Sequence, residues 1–160
     1  MNMLTALGIS IGVLIAIWSY VALGMTNLGL NVWAGIVAWG TFYAAGGGMM
    51  GLKKTVASNL SGNVYAFLAL LIAGQMGGGV AITAVLVGVI AFLMCVQAKV
   101  NLLSFIPGAF LGAATWVGAG GGASLSMASI MIAVSLVLGA VLGYISEIGG
   151  KKLAKPSGAM

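Results

Sequence analysis

The 160-residue chain has no arginine, no histidine and one acidic residue, Glu147. Its positive charge rests on six lysines: Lys53, Lys54, Lys99, Lys151, Lys152 and Lys155. Charged residues make up 4% of the chain. A soluble domain carries roughly a quarter, so this chain cannot coat a water-facing surface. With no histidine and a lone Cys95 inside an apolar run, neither a metal pattern nor a disulfide framework is available, and no metal or cofactor is expected. No nucleophile, base and orienting group occur together. No phosphate-cradling loop precedes a lysine and a Ser or Thr, so the chain is not expected to be an enzyme. Six scattered lysines give no basic face for nucleic acid, and the cytoplasmic leaflet of a membrane accounts for them better.

What the chain does have is apolar length: 62% of its residues are hydrophobic. Six apolar stretches separate at about 4–24, 30–46, 55–74, 79–97, 102–119 and 124–146. Each is near the roughly 20 residues that cross a bilayer, the second and fifth being short. The expectation is an all-α membrane protein of six transmembrane helices, with one domain over 1–150 and a cytoplasmic basic tail over 151–160. The first stretch has no positive segment before it and is long enough to span, so it reads as a helix and not as a signal peptide. With six spans, the 2–3 loop, the 4–5 loop and the tail share one side, and those places hold every lysine. The positive-inside rule then puts both termini in the cytoplasm.

A shift of 74 residues lays Thr41-Phe42-Tyr43-Ala44-Ala45-Gly46-Gly47-Gly48 on Thr115-Trp116-Val117-Gly118-Ala119-Gly120-Gly121-Gly122. The same shift lays Asn27-Leu28 on Asn101-Leu102, Trp18 on Phe92 and Ser61 on Ser135. Three helices per half is an odd number, so halves of about 1–74 and 75–148 would form a 3+3 inverted repeat, a recurring transporter construction with its pathway at the repeat interface. Chance matching of abundant glycine and alanine is the competing explanation.

Several residues are candidates to line such a pathway. Pro107 and Gly108 within Ser104-Phe105-Ile106-Pro107-Gly108-Ala109-Phe110 either kink or break the fifth helix, or mark its start. Phe105 and Phe110 would narrow the passage, and Ser104, Gln97 and Asn101 would replace part of a solute's hydration. Lys99 reads as a snorkelling anchor or as an electrostatic collar at a cytoplasmic mouth. Asn59 and Asn63, four apart, share a helix face with Ser58 nearby, and either bond between helices or line a polar vestibule. Trp18, Tyr20, Trp33, Trp39, Tyr43 and Tyr144 suit interfacial belts. The pairs Gly8/Gly12, Gly47/Gly51, Gly108/Gly112 and Gly139/Gly143 suit close helix contact, within the chain or in a homo-oligomer. No Asp, Glu or His lies inside the six stretches, so nothing at residue level argues for proton coupling.

The run Ala91-Phe92-Leu93-Met94-Cys95-Val96-Gln97-Ala98-Lys99, followed by Leu102 through Ala113, resembles the signature of the YcdZ-type small bacterial inner-membrane proteins. Trp33-Ala34-Gly35 through Phe42-Tyr43 to Gly51-Leu52-Lys53 is similar to that family's second helix and following loop. The resemblance implies a multi-pass protein of the bacterial inner membrane; the family is a domain of unknown function and supplies no solute. Two classes of function follow: a channel or facilitator for a small polar or weakly acidic metabolite, or a non-transport membrane protein acting as an assembly or regulatory subunit. The partners expected are the lipid bilayer, further copies of the chain and a small-molecule solute, not nucleic acid.

Overall fold

The computed structural model describes residues 1–154; Lys155 and the rest of the basic tail lie outside the described residues. Within them the chain is all-helical, one of the two ways, with the closed barrel, of pairing every backbone amide where lipid offers no hydrogen bonds. Six α-helices follow in order: α1 (Met3–Gly24), α2 (Val32–Ala44), α3 (Gly48–Gln75), α4 (Val80–Val96), α5 (Ile106–Gly118) and α6 (Met127–Leu153). Asn2, Asn31 and Ser126 start α1, α2 and α6 by accepting from the amides of Thr5, Ala34 and Ser129, each satisfying one of the free donors of a first turn.

Four helices are long and apolar enough to cross a membrane: α1, α3, α4 with its following turn, and α6. The other two, α2 and α5, have 13 residues each. At 1.5 Å per residue that is about 20 Å, against a hydrocarbon layer of about 30 Å, so the helix alone does not span.

Two boundary expectations are corrected. Lys53 and Lys54 do not sit in a loop: α3 begins at Gly48 and carries both in its first two turns. Lys151 and Lys152 likewise belong to the last turn of α6, not to a separate tail. In both places the positive side chains extend a helix past its apolar run, which costs nothing once the backbone has reached water. The fifth helix is also not broken. Pro107 lies in the first turn of α5, where no intrahelical donor is needed and a fixed φ is favourable. The polypeptide between α4 and α5 instead makes two short 3-10 turns, Gln97–Lys99 and Asn101–Leu103.

The long helices α3 and α6 pack on each other at the centre. The short helices cross over: α2 packs chiefly on α6 and α5 chiefly on α3, with α1 outside α6 and α4 on α3. Met94 is the one buried residue of α4, so most of that helix faces outward with apolar side chains. Both short helices end in the same turn. Gly46 (φ 95°) and Gly47 donate back to Tyr43 and Phe42, as Gly120 (φ 82°) and Gly121 donate back to Val117 and Trp116. This is the glycine-ended Schellman closure, which needs the left-handed conformation at the residue after the cap. It reverses the chain within three residues, setting α2 close to the start of α3.

The helix contacts of the two halves also correspond. A Cβ at Gly139 on α6 would strike the backbone of Gly35 on α2, and a Cβ at Gly62 on α3 would strike the carbonyl of Ala109 on α5. Gly35 and Ala109 are 74 apart, as are the ends of α2 and α5, whereas Gly62 and Gly139 are 77 apart. The offset therefore grows by three in the longer linker before α6. An offset of 77 lays Ser58 on Ser135, whereas the single shift of 74 lays Ser61 there.

A buried polar interface on the third helix

Helix α3 presents Thr55, Ser58, Asn59 and Asn63 along one face at i, i+3, i+4 and i+8 spacing, the repeat that stacks side chains above one another. All four are buried, Asn63 being the most exposed at 4%. The face meets α5 across Gly62, Gly108 and Gly112, and at Gly62 and Gly112 the missing side chain lets the helices approach to backbone contact. A Cβ at Gly112 would strike the Asn59 backbone, and one at Gly108 would meet the Phe105 ring and the Ser58 Cβ. At its edge the face also reaches α2: Asn59 Nδ2 donates to Thr41 Oγ1 at 3.1 Å, and Thr41 in turn donates to the Ala38 carbonyl at 2.9 Å.

The remaining polar atoms of this face have no protein partner. Thr55 Oγ1, Ser58 Oγ, Asn59 Oδ1 and both ends of the Asn63 carboxamide are buried and unpaired. So are both ends of Gln97, at the close of α4. An unpaired buried polar group costs about 1–3 kcal/mol, so five side chains of this kind are an expensive feature of a small protein. Every one of them is uncharged.

Among the candidates read from the sequence, Asn59, Asn63, Gln97 and Gly108 are thus buried, with Ser104 and Phe105 half-buried beside them. Lys99, Asn101, Pro107 and Phe110 are exposed. The structure places Asn59, Gly108 and Phe105 together at the α3–α5 contact. Phe105 covers Gly108, while Phe110, at 44% exposure, faces away from the core. Thr55 and Thr41 were not singled out by sequence reasoning. The fourfold spacing of Thr55, Asn59 and Asn63 is the signal that would have found the first. Thr41 is reachable only through a contact between helices.

A second feature lies on the other face of α5. An open groove of about 350 Å³ lies between the first half of α2 and the second half of α5, lined by Ala34, Val37, Leu111, Ala114 and Thr115 among others. Helix α5 therefore separates this groove from the polar face of α3.

Aromatic residues fall into two groups. Tyr20 and Trp33 are exposed, at 75% and 71%, as a belt requires. Trp18 and Trp39 are buried, which overturns the belt reading for them: their indole N–H groups donate to the Val32 carbonyl and to Ser146 Oγ, both at 3.0 Å. Satisfied in this way, an indole packs as core.

Residues 8–151 match the family described as protein of unknown function (DUF1097). The chain is 38% identical over 159 residues to the inner membrane protein YcdZ of Escherichia coli (strain K12), covering 98% of this chain and 91% of the relative. It is 37% identical over 156 residues to the protein of the same name in Salmonella typhimurium, with 96% and 91% covered. The uncharacterized protein YahC of Escherichia coli (strain K12) is 36% identical over 166 residues, with 97% and 95% covered. No solved structure matches. The resemblance read from the sequence thus holds over nearly the whole chain.

Proposed function

The chain belongs to the DUF1097 family, and we propose that it is an inner-membrane channel or facilitator for a small polar or weakly acidic metabolite. In this reading both termini are cytoplasmic, all six helices lie within the membrane, and the halves form a 3+3 inverted repeat whose copies assemble into a homo-oligomer. The observation that carries the proposal is the row of buried, unpaired hydrogen-bonding side chains on α3, facing a short helix that also borders an open groove. Uncharged polar groups in membrane helices commonly bond from helix to helix; these do not, and are left free to bond a solute. The matched closures of α2 and α5 and the matched glycine contacts support the repeat. Short, glycine-ended segments in corresponding positions of two halves are the usual pointer to a transport site.

The test is flux. Purified protein in proteoliposomes is expected to pass at least one of urea, acetamide, glycerol, formate and acetate tenfold or more faster than protein-free liposomes in an osmotic light-scattering assay. Permeability equal to protein-free liposomes for the whole panel would overturn the proposal in favour of a non-transport subunit.

A further inference from the structure

We infer that the α3–α5 interface is a binding site for small uncharged solutes that carry both hydrogen-bond donors and acceptors. The inference rests on the proposed transport function and narrows its solute class. The α2–α6 contact is a closed apolar cluster in which Ala34 and Ala38 pack on Ile132, Leu136 and Ala140, all 3% exposed or less. Carry each residue to the other half, by 74 for the short helix and 77 for the long one, and the set becomes Gly108 and Gly112 against Thr55, Asn59 and Asn63. Every position in the second set is buried too. At each, an apolar side chain is replaced by a polar one, or alanine by glycine.

The fold therefore has no architectural need for amides and hydroxyls there, since the corresponding contact is sealed with Ile, Leu and Ala. The serine pair makes the same point. Ser135 accepts from the Asn31 amide at 2.9 Å and donates to the Met131 carbonyl at 2.7 Å, whereas Ser58 Oγ has no partner. Buried polarity left unpaired on α3, where the buried serines of α6 are all bonded, is the signature of a functional site.

The chemistry of the groups sets the class of solute. Asn59 commits its N–H to Thr41 and offers its carbonyl oxygen. Asn63 offers both a donor and an acceptor, and Thr55 and Ser58 offer hydroxyls that serve as either. Among the described residues no charged side chain bonds any of these atoms, so a dehydrated anion held by them would meet no paired counter-charge. The oxygens are spread from Thr55 to Asn63, about 12 Å along the helix. A single cation, which gathers its ligands within about 2.6 Å, cannot use them together. A file of positions for an amide or a polyol uses all of them. Because α3 and α5 touch backbone to backbone at Gly62, the interface in this structure is closed, and loading requires α5 to move away from α3.

The test gives α3 the residues of α6. Thr55→Ile, Asn59→Leu and Asn63→Ala are combined, with Asn63→Ala alone as a milder variant should the triple fail to fold. Flux of urea, acetamide and glycerol is compared with that of formate at pH 7.5 and of potassium. The expected result is a wild type that passes one or more uncharged solutes and neither ion. In the triple variant that flux falls at least tenfold while the melting temperature rises, and in Asn63→Ala it falls measurably. If the variants melt higher and still pass uncharged solutes at the wild-type rate, the polar row is not the site. If the wild type passes formate or potassium but no uncharged solute, the solute class is wrong while transport stands. If it passes nothing, the transport function fails and this inference with it.

Discussion

Glu147 lies just past the last apolar run, and each of its carboxylate oxygens has a partner. One accepts from the Gly48 amide at 2.7 Å and the other pairs with Lys151. The bond to Gly48 places negative charge at the start of α3, where the helix dipole favours it, and ties that helix to the end of α6. The Lys151 ammonium holds the Glu147 carboxyl below the usual range; partial burial opposes this and the Gly48 amide adds to it. A folded-state pKa below the unfolded one stabilises fully above the unfolded value, and the stabilisation is lost as pH falls through the folded value. The melting temperature in detergent should therefore hold from pH 7 to about pH 5 and decline further into acid. Glu147→Gln should lower stability at neutral pH by roughly 1 kcal/mol and remove part of that acid decline. Identical acid profiles for the two proteins would show that the carboxylate contributes nothing. At this scale the sequence marks a residue as unusual without showing its partner. Trp18 and Trp39 read as belt residues because an indole suits an interface and a core alike. Only the positions of the Val32 carbonyl and Ser146 decide between them.

Glycines show what an element needs. A Cβ at Gly139 would overlap the backbone of Gly35, which cannot yield without parting α2 from α6. A Cβ at Gly8 meets nothing within 4 Å. Gly139→Ala should thus destabilise by about 1–3 kcal/mol or more, and Gly8→Ala should be neutral or stabilising by about 0.5–1 kcal/mol; thermal melts of the two proteins in one detergent check both. The sequence paired Gly8 with Gly12 on the same rule that paired Gly139 with Gly143, yet nothing lies within 4 Å of a Cβ at either Gly8 or Gly12. Spacing identifies a smooth helix face but not which way it turns. Helix number and approximate limits were legible, because apolar runs and punctuation record them directly. A proline at 107 is compatible with a kink and with a first turn alike, so the sequence leaves the start of α5, at Ile106, open. The polar face of α3 was half legible: Asn59 and Asn63 stand out by type and spacing, whereas their burial against α5 is a tertiary fact. The offset of 77 between α3 and α6 is set by the contacts of Gly62 and Gly139, and a single shift of the sequence misses it.

For the whole molecule, the lysines orient what the helices build. Lys53, Lys54 and Lys99 lie near the α2–α3 turn and the α4–α5 connection, and Lys151 and Lys152 at the end of α6. With six crossings these positions share one side, so reporter fusions after residues 28, 77 and 121 should read periplasmic. A cytoplasmic reading after residue 28 would place the N-terminus on the other side, and one after 77 or 121 would mean that α2 or α5 enters and leaves on the same side, as a 13-residue helix can.

The central claim is that one of two corresponding interfaces admits solute and the other is sealed, and thiol labelling reads this directly. With Cys95 replaced by serine, Asn63→Cys and Ala140→Cys place one thiol at corresponding points of the α3–α5 and α2–α6 contacts. A small methanethiosulfonate added to membrane vesicles should modify the thiol at position 63, more slowly when urea or acetamide is present at high concentration, and should leave the thiol at position 140 unmodified. Equal reactivity at both positions, or none at either, would contradict the account.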